Sequence, residues 1–361
     1  FITREVGKVR KRRVIVPSQM IITTEFLNTS GGSVHKDGAQ VELHPHAGSC
    51  RATTSNYLQE CFTVLQQAVI NARETYGDDS IKIDFTQVVK LTKGDLVKLP
   101  PEAKILGCMP SFNIYGRKLI KKDGSKFPYR SAAGHIHVGC DAFSLKFVDP
   151  KRVVAIYDAM VGLPAVLIDR DPAAAIRRKT YGRAGEYRLP FHGVEYRTLS
   201  NFWLKAYPLM SLMFAQIRSA TKIAQAAATY EQWNKQLPDP SDRKFQLNEA
   251  ANWFDIEHVL MGNLPRKAVE AAINENDAVA ARQLFEEFVR PVLTEASFFE
   301  GIWGPDATRA FDFFVKMIAE RGLEYWFPDE SLEHWMTKLD GHGHGWESWE
   351  TRTVRPQMHA A

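Results

Sequence analysis

One stretch of the chain decides the fold, and it reads Arg130-Ser-Ala-Ala-Gly-His-Ile-His-Val-Gly-Cys140. Successive side chains of a β-strand point to opposite faces, so residues two apart share a face. His135 and His137 therefore share one face of a predicted strand, and the apolar Ile136 and Val138 share the other. Two imidazoles side by side on a half-apolar strand are better placed for a ligand or a metal than for a core. A zinc site and structurally satisfied histidines are the alternatives.

A second charged motif follows further along the chain. The tripeptide Glu-Tyr-Arg occurs twice, at residues 186–188 and 195–197, and the proline and glycine between the copies indicate a hairpin. Each copy puts a carboxylate and a guanidinium on one strand face and a tyrosine on the other. Glu42 and His44 have the same spacing near the N-terminus. The sequence therefore predicts a sheet with one face given to charged groups, which is typical of a site, although cross-strand ion pairs on a wet face remain the alternative.

Composition places the chain among ordinary soluble globular proteins. It has 361 residues, 45% hydrophobic and 24% charged, with a formal net charge of +4. This length predicts one large domain or two intimate ones. The charge is too even to predict nucleic-acid binding, and the basic run at 8–13 favours a solvated hairpin edge over phosphate contacts.

The four cysteines and the apolar runs bear on location. Cys50, Cys61, Cys108 and Cys140 show no C-x-x-C spacing, so we expect reduced thiols in the cytoplasm. No apolar run approaches the roughly 18–20 residues that a membrane-spanning helix needs. We expect no membrane partner.

The pattern of the chain predicts strands first and helices later. The N-terminal part predicts strands at 1–3, 14–16, 20–24 and 39–44, a helix at 52–76, strands near 81–91 and 104–115, and a helix starting at Asp149-Pro150. Beyond the repeats it predicts helices at about 203–235, 248–261, 265–274, 277–290 and 305–321. We expect a sheet region at 1–203, a helical region packed on it at 204–340, and a Gly/His/Trp-rich tail at 341–361. The aromatic series between 298 and 314 is typical of core or subunit contacts.

Several familiar nucleotide and hydrolase sites are excluded by their motifs. The sequence contains no G-x-x-x-x-G-K-[ST], no G-x-G-x-x-G and no G-x-S-x-G. If a nucleotide binds, its phosphates are held by metal and arginine. The glutamates of the paired motifs offer hard oxygen ligands for Mg²⁺. The basic groups that we expect to bind phosphate oxygens are Arg130, Arg188, Arg197 and the run Arg177 to Lys179.

Together these motifs resemble a known family. Residues 130–139 and 181–203 closely resemble the phage phiEco32-like COOH–NH₂ ligases of type 2, which belong to the glutamine synthetase and glutamate–cysteine ligase superfamily. Residues 37–42 and 107–115 also resemble motifs of that family. The resemblance covers residues 1 to about 205.

The resemblance implies a fold and a chemistry. The fold is α+β, a curved and mainly antiparallel glutamine-synthetase-like sheet with packed helices, followed by a helical C-terminal region. The chemistry is ATP- and Mg²⁺-dependent, with a carboxylate phosphorylated to an acyl phosphate and an amine attacking to give an amide. Carried over position by position, the resemblance implies that Glu42, His135 and Glu195 would bind metal or nucleotide phosphates. Arg197 stabilises the transferring phosphoryl group beside Glu195, and His137 lines the same face.

One departure from the family leaves an alternative open. Members open with a strand bearing Asp-Pro-Glu-Phe-Phe, whose glutamate is a metal ligand, whereas Phe1-Ile-Thr resembles the piece just after it. Either upstream residues are missing, or the metal set is one ligand short. The alternative function is a catalytically silent structural or virion-associated phage protein that retains the ligase fold. A zinc hydrolase is a third hypothesis.

The resemblance also suggests partners. We expect amino-acid or peptide-like carboxylate and amine substrates, a homo-oligomer, and a location in the host bacterial cytoplasm with virion association as the alternative. Fold-level analogy does not reach the identity of either substrate.

Overall fold

The computed structural model describes residues 1–7, 12–104, 111–116, 125–139, 149–179, 181–236, 260–295, 315–316 and 318–326. The strands are β1 (Ile2–Val6), β2 (Arg12–Ile15), β3 (Phe26–Thr29), β4 (Gly32–Asp37), β5 (Gln40–Pro45), β6 (Lys82–Ile83), β7 (Val88–Lys90), β8 (Phe112–Asn113), β9 (Tyr129–Ser131), β10 (Ile136–Gly139), β11 (Glu186–Arg188) and β12 (Gly193–Tyr196). The α-helices are α1 (Arg51–Tyr76), α2 (Lys93–Lys98), α3 (Pro101–Lys104), α4 (Pro150–Tyr157), α5 (Leu163–Ile168), α6 (Ala173–Arg178), α7 (Tyr207–Gln236), α8 (Arg266–Glu275), α9 (Ala278–Leu284), α10 (Arg290–Glu295) and α11 (Leu323–Trp326). Short 3₁₀ turns lie at Ser18–Met20 and Asn201–Lys205, and π-helical turns at Asp158–Gly162 and Phe285–Val289.

Some sequence predictions lie outside the described residues. These are Cys108, Cys140, the aromatic series at 298–314, the tail at 341–361, and most of the helices predicted at 248–261 and 305–321. The proposed division into regions also stays a prediction.

Most predicted elements that can be checked are confirmed. The helix at 52–76 is α1, and Asp149 begins α4 as predicted, since its carboxylate accepts a hydrogen bond from the Lys151 amide at 2.9 Å and Pro150 follows. The strand at 20–24 is wrong. Pro17 is followed there by a 3₁₀ turn, and Ile21 and Ile22 are buried from that turn instead.

The described strands form small antiparallel sheets. Their orders are β2-β1-β6, β3-β4-β5, β7-β9 and β10-β12-β11-β8. The α+β class is confirmed, but the single curved sheet that the family resemblance implies is not: within the described residues the strands are grouped in separate sheets of two to four strands. Short strands, interrupted by helices between β5 and β10, limit how far each sheet extends.

The buried apolar residues form a large cluster that joins sheets and helices, and a smaller one around Ile15, Leu91 and Leu96. The three-stranded sheet β3-β4-β5 packs one face on α1, through Leu27, Val34 and Leu43. The same apolar cluster extends through α4, α5 and α7 and into the helices beyond residue 260. Burying one face of each sheet leaves the other face for polar side chains, and the candidate site lies there.

Within the described residues, no helix has both the length and the apolar character that crossing a membrane demands. Cys50 is exposed and Cys61 is buried, and both are free thiols.

Candidate active site

The four-stranded sheet brings the histidine motif and both Glu-Tyr-Arg repeats together. In its register His137 lies opposite Glu195 on one side of β12, and Arg188 lies opposite Glu195 on the other. Glu195 is therefore central, flanked by strands that the sequence places far apart. The predicted alternation is confirmed, since Tyr187 and Tyr196 pair with each other on the opposite face.

Glu195 is the hub of a buried charge cluster. Its side chain is only 4% exposed. Oε1 accepts hydrogen bonds from Arg188 Nη2 at 2.9 Å and from Arg197 Nη1, and Arg188 Nε lies 2.8 Å from Oε2. His135 Nδ1 lies 3.0 Å from the same Oε1, and His137 Nε2 lies 4.0 Å away. We call Glu195, Arg188, Arg197, His135 and His137 the Glu195 cluster. A wet sheet face is excluded for the pair Glu195 and Arg197, because both are buried.

The hydrogen bonds of the cluster close into a ring that includes Tyr181. The Arg197 guanidinium can only donate, so its Nη2 donates to the Tyr181 hydroxyl oxygen at 3.0 Å. The Tyr181 proton is then available for His135 Nε2, 2.7 Å away. The remaining proton of His135 sits on Nδ1 and faces Glu195. The network thereby selects one tautomer of His135, and both ring nitrogens are engaged.

The electrostatics keep both motif histidines neutral near pH 7. Burial, together with the positive charges of Arg177 and Arg188, holds the pKa of His135 well below its ordinary value. Burial, His192 and Arg188 lower the pKa of His137 to about 4. Neutral imidazoles can accept as well as donate hydrogen bonds.

Exposure divides the cluster into a floor and a rim. The Arg197 side chain is 1% exposed, and so belongs with Glu195 to the floor. The side chains of Arg188 and His137 are 32% and 49% exposed and form the rim. On the rim, His137 Nδ1 lies 3.0 Å from His192 Nε2, and the two rings stack at 5.3 Å. A ligand would meet the rim first.

The third predicted pair lies beside this rim. Glu42 and His44, on β5, form an ion pair with 3.1 Å between Oε2 and Nε2, and both side chains are about half exposed. The His44 hydrogen bond lowers the pKa of Glu42, with a contribution from the charge of Arg188. The charges of Glu42 and His44 in turn act on His137. Glu42 and His44, on the outer face of the β3-β4-β5 sheet, are thus close enough to the Glu195 cluster for their charges to interact with it.

Glu186 of the first repeat lies behind Arg197. It is buried, accepts hydrogen bonds from Ser111 Oγ at 2.6 Å and the Arg183 amide at 3.0 Å, and its Oε1 is 4.0 Å from Arg197 Nε. That Nε is buried and has no hydrogen-bond partner among the residues that the structure describes. Glu186 therefore adds negative charge behind the arginine of the floor.

Two predicted phosphate-binding residues do not join the cluster. Arg130 lies on β9, in the two-stranded sheet, and its Nη1 donates to the carbonyl oxygens of Phe127 and Tyr129. Lys179 is exposed at the end of α6, where its carbonyl accepts from Arg183. Their predicted roles stay predictions.

Gly134 is a position where another side chain approaches the backbone closely. A Cβ atom there would lie 2.2 Å from Trp203 Nε1, and this indole donates to the Gly134 carbonyl at 3.1 Å. The indole thus fixes the chain just before His135.

Sequence reasoning missed a buried carboxylate under the opposite face of the sheet. Asp158 lies in a π-helical turn and is fully buried. It accepts hydrogen bonds from the hydroxyls of Tyr196 at 2.8 Å and Tyr115 at 3.0 Å. Burial raises the pKa of Asp158 to about 6, and the tyrosine hydrogen bonds oppose the rise. Tyr196 lies between Glu195 and Arg197, so Asp158 braces the strand that carries them.

Arg177 has a structural role that its position in the sequence does not reveal. Its buried guanidinium donates to the carbonyls of Ala132 at 2.9 Å, Thr198 at 2.9 Å and Leu199 at 2.6 Å. It thereby ties the segment before His135 to the segment after Arg197.

Comparison with known families gives one match. Residues 121–246, about a third of the chain, match the family described as Phage phiEco32-like COOH.NH2 ligase-type 2. The family resemblance is confirmed. The ligase-like segment holds every residue of the Glu195 cluster, while Glu42 and His44 lie outside it. No curated protein and no solved structure matches the chain.

Proposed function

We propose that the protein is an ATP- and Mg²⁺-dependent carboxylate–amine ligase that forms an amide or peptide bond. The observation that carries the proposal is the convergence of two arginines and two neutral histidines on Glu195, inside the segment that matches a COOH–NH₂ ligase family. In such a reaction a substrate carboxylate oxygen attacks the terminal phosphorus of ATP, the bond to the β-phosphate breaks and ADP leaves, giving an acyl phosphate. The amine then attacks the acyl carbon, and phosphate and a proton leave.

The carboxylates suit Mg²⁺ in kind. Mg²⁺ keeps several waters and is commonly bound by one or two carboxylates plus substrate phosphates. In the described part of the chain no group of three or more His, Cys, Asp or Glu is gathered for a metal. We therefore infer a site with few protein ligands, in which Glu195 and Glu42 would hold the ion and the ion would supply positive charge to the phosphates. His135 would join only by exchanging one of its present hydrogen bonds.

The rim residues are placed to meet the substrates. The Arg188 guanidinium is partly exposed, and its planar fork suits phosphate or carboxylate oxygens. His137, neutral and half exposed, can hydrogen-bond a substrate group beside it. Arg197, held by Glu195 and Tyr181, supplies fixed positive charge beneath them. Amino-acid or peptide-like substrates remain part of the proposal.

Calorimetric titration with ATP, with and without Mg²⁺, tests the function. We expect metal-dependent binding in wild type and its loss in Glu195→Gln, because the amide cannot hold either the cation or both arginines. Glu286→Gln is the matched control, since Glu286 also pairs with two arginines, but on an exposed helix surface. Binding that survives in Glu195→Gln, or that both variants lose, would contradict the proposal.

One observation favours the rival, a catalytically silent protein that retains the ligase fold. Glu195 is already engaged by two arginines and a histidine, so a ligand must displace a protein contact to reach it. Wild-type protein that binds no nucleotide at any Mg²⁺ concentration would establish the rival. Virion association, cytoplasmic location and oligomeric state are proposals that this titration does not address.

A further inference from the structure

Three rings form a ladder across the outer face of the β3-β4-β5 sheet. Phe26 and His35 stack with ring centroids 5.2 Å apart and planes 19° apart. His35 and His44 stack at 4.3 Å and 27°. We call Phe26, His35 and His44 the ring ladder. Each strand contributes one rung, so the ladder crosses the whole sheet.

The ladder does not belong to the core. Its residues alternate with Leu27, Val34 and Leu43, which point to the opposite face and pack against the α1 side. Phe26 is 36% exposed and counts among the exposed large hydrophobic residues of the structure. Cross-strand ring pairs do stabilise sheets. That role needs no exposed phenylalanine at the end of the row.

The ladder runs from the rim of the Glu195 cluster outwards. His44 is its inner rung, and its charge acts on His137 of the rim. Phe26 is its outer rung, because it lies on the opposite edge strand of this sheet and is separated from His44 by stacking distances of 5.2 and 4.3 Å. A ligand whose phosphates met Arg188 would therefore have its remaining part beside the ladder.

The rings are suited to a flat, uncharged partner. His35 lies in the middle of the stack, between Phe26 and His44. Ser33 Oγ lies 2.8 Å from His35 Nε2 and fixes that ring in plane. Exposed Asn28 shares the face with Phe26, two residues along β3, and an amide can pair with the N6/N7 edge of adenine.

We propose that the outer rung of the ring ladder, Phe26, stacks against the purine base of the nucleotide whose phosphates bind at the Glu195 cluster. This inference rests on the proposed function and assigns it a base subsite. Base–aromatic stacking accepts any planar base, whereas Asn28 gives adenine an advantage over guanine.

The experiment separates the base from the phosphates. ATP and inorganic triphosphate are titrated in the presence of Mg²⁺ into wild type, Phe26→Ala and Phe112→Ala. Phe112 is a matched control, since it is 58% exposed and stacks on Tyr187 at 5.5 Å, but it lies on the opposite face of the four-stranded sheet from the cluster. We expect Phe26→Ala to weaken ATP about tenfold and to leave triphosphate unchanged. Phe112→Ala should change neither affinity.

A second substitution guards against misfolding. Phe26→Trp keeps a stacking surface, so it should hold ATP at least as tightly as wild type. Equal losses for ATP and triphosphate in Phe26→Ala, or an unchanged ATP affinity, would overturn the base subsite while leaving the ligase proposal standing. Wild type that binds neither compound would overturn both.

Discussion

Strand β12 lies between two buried carboxylates that are held in opposite ways. On one face, Glu195 is surrounded by arginine side chains and a histidine. Beneath the other face, Asp158 receives neutral tyrosine hydroxyls. Burial raises the pKa of both carboxyls; the charge of Arg188 opposes the rise at Glu195, whereas tyrosine hydrogen bonds oppose it at Asp158. We therefore expect Glu195 to maintain charge at the proposed site and Asp158 to hold the strand in place.

The largest expected effect comes from removing a cation on the charged side. Arg197→Ala leaves Glu195 buried with one guanidinium fewer, and breaking a buried pair in this way costs about 3–5 kcal/mol. Arg188→Ala removes a half-exposed partner of the same carboxylate, where water can replace it, so its cost should be smaller. Urea unfolding measures both. Equal costs would show that burial does not distinguish the two arginines.

The second effect is a pH dependence of stability that originates at Asp158, beneath the face of β12 opposite Glu195. The folded-state pKa of Asp158 is about 6, above the ordinary 3.8, so the folded protein holds this proton more tightly than the unfolded chain. The stability this contributes is present below about pH 4 and is lost as the pH rises through about 6, by about 3 kcal/mol in total.

Asp158→Asn tests that assignment, because an amide cannot titrate. Unfolding free energies measured from pH 4 to 7 should show a weaker decline in the variant than in wild type. An identical slope in the two proteins would place the proton elsewhere.

A third and smaller effect separates support of the strand from support of the fold. Tyr196→Phe and Tyr115→Phe each remove one hydroxyl from Asp158, and each should cost about 1–3 kcal/mol. Only Tyr196 lies between Glu195 and Arg197. We therefore expect Tyr196→Phe to weaken Mg²⁺-dependent ATP binding more than Tyr115→Phe does, in calorimetric titrations of both. Matching affinities would make Asp158 a support for the fold alone.

The smallest effect is expected where a similar carboxylate is exposed. Glu286 also contacts two arginines, Arg282 and Arg290, but its side chain is 42% exposed. Because water replaces a lost partner there, Glu286→Gln should lower the unfolding free energy by less than about 1 kcal/mol. A cost comparable with that of Arg197→Ala, in the same urea series, would refute the role we give to burial.

Much of the Glu195 cluster could be predicted from the sequence, because the alternation of side chains along a strand is a local property. The spacing of His135 and His137, and of each Glu-Tyr-Arg copy, was enough to place their side chains on common faces. Their meeting at Glu195 could not be predicted from spacing, because it depends on which strands pair. The family resemblance supplied that association.

No comparable signal in the sequence indicated Asp158 and its tyrosine partners. Asp158 lies in a mainly apolar helical stretch, where a single acidic residue is normally expected to face solvent. Its tyrosine partners are 38 and 43 positions away in the sequence. The partners of Asp158 depend on the pairing of distant segments, which spacing along the chain does not show. The contacts of Arg130 were not predicted either. Its role in phosphate binding stays a prediction, and its Nη1 donates to two nearby backbone carbonyls.

The contacts of Arg177 determine which nearby positions can accept substitutions during evolution. Its guanidinium binds main-chain oxygens, which every residue type possesses, so the side chains at Ala132 and Leu199 can change without losing those bonds. The arginine itself has no such freedom, and neither does Gly182, whose φ is +65° and where a Cβ atom would lie 2.2 Å from Arg177 Nη2. Among relatives, we expect these two positions to be fixed together while the carbonyl-bearing positions vary.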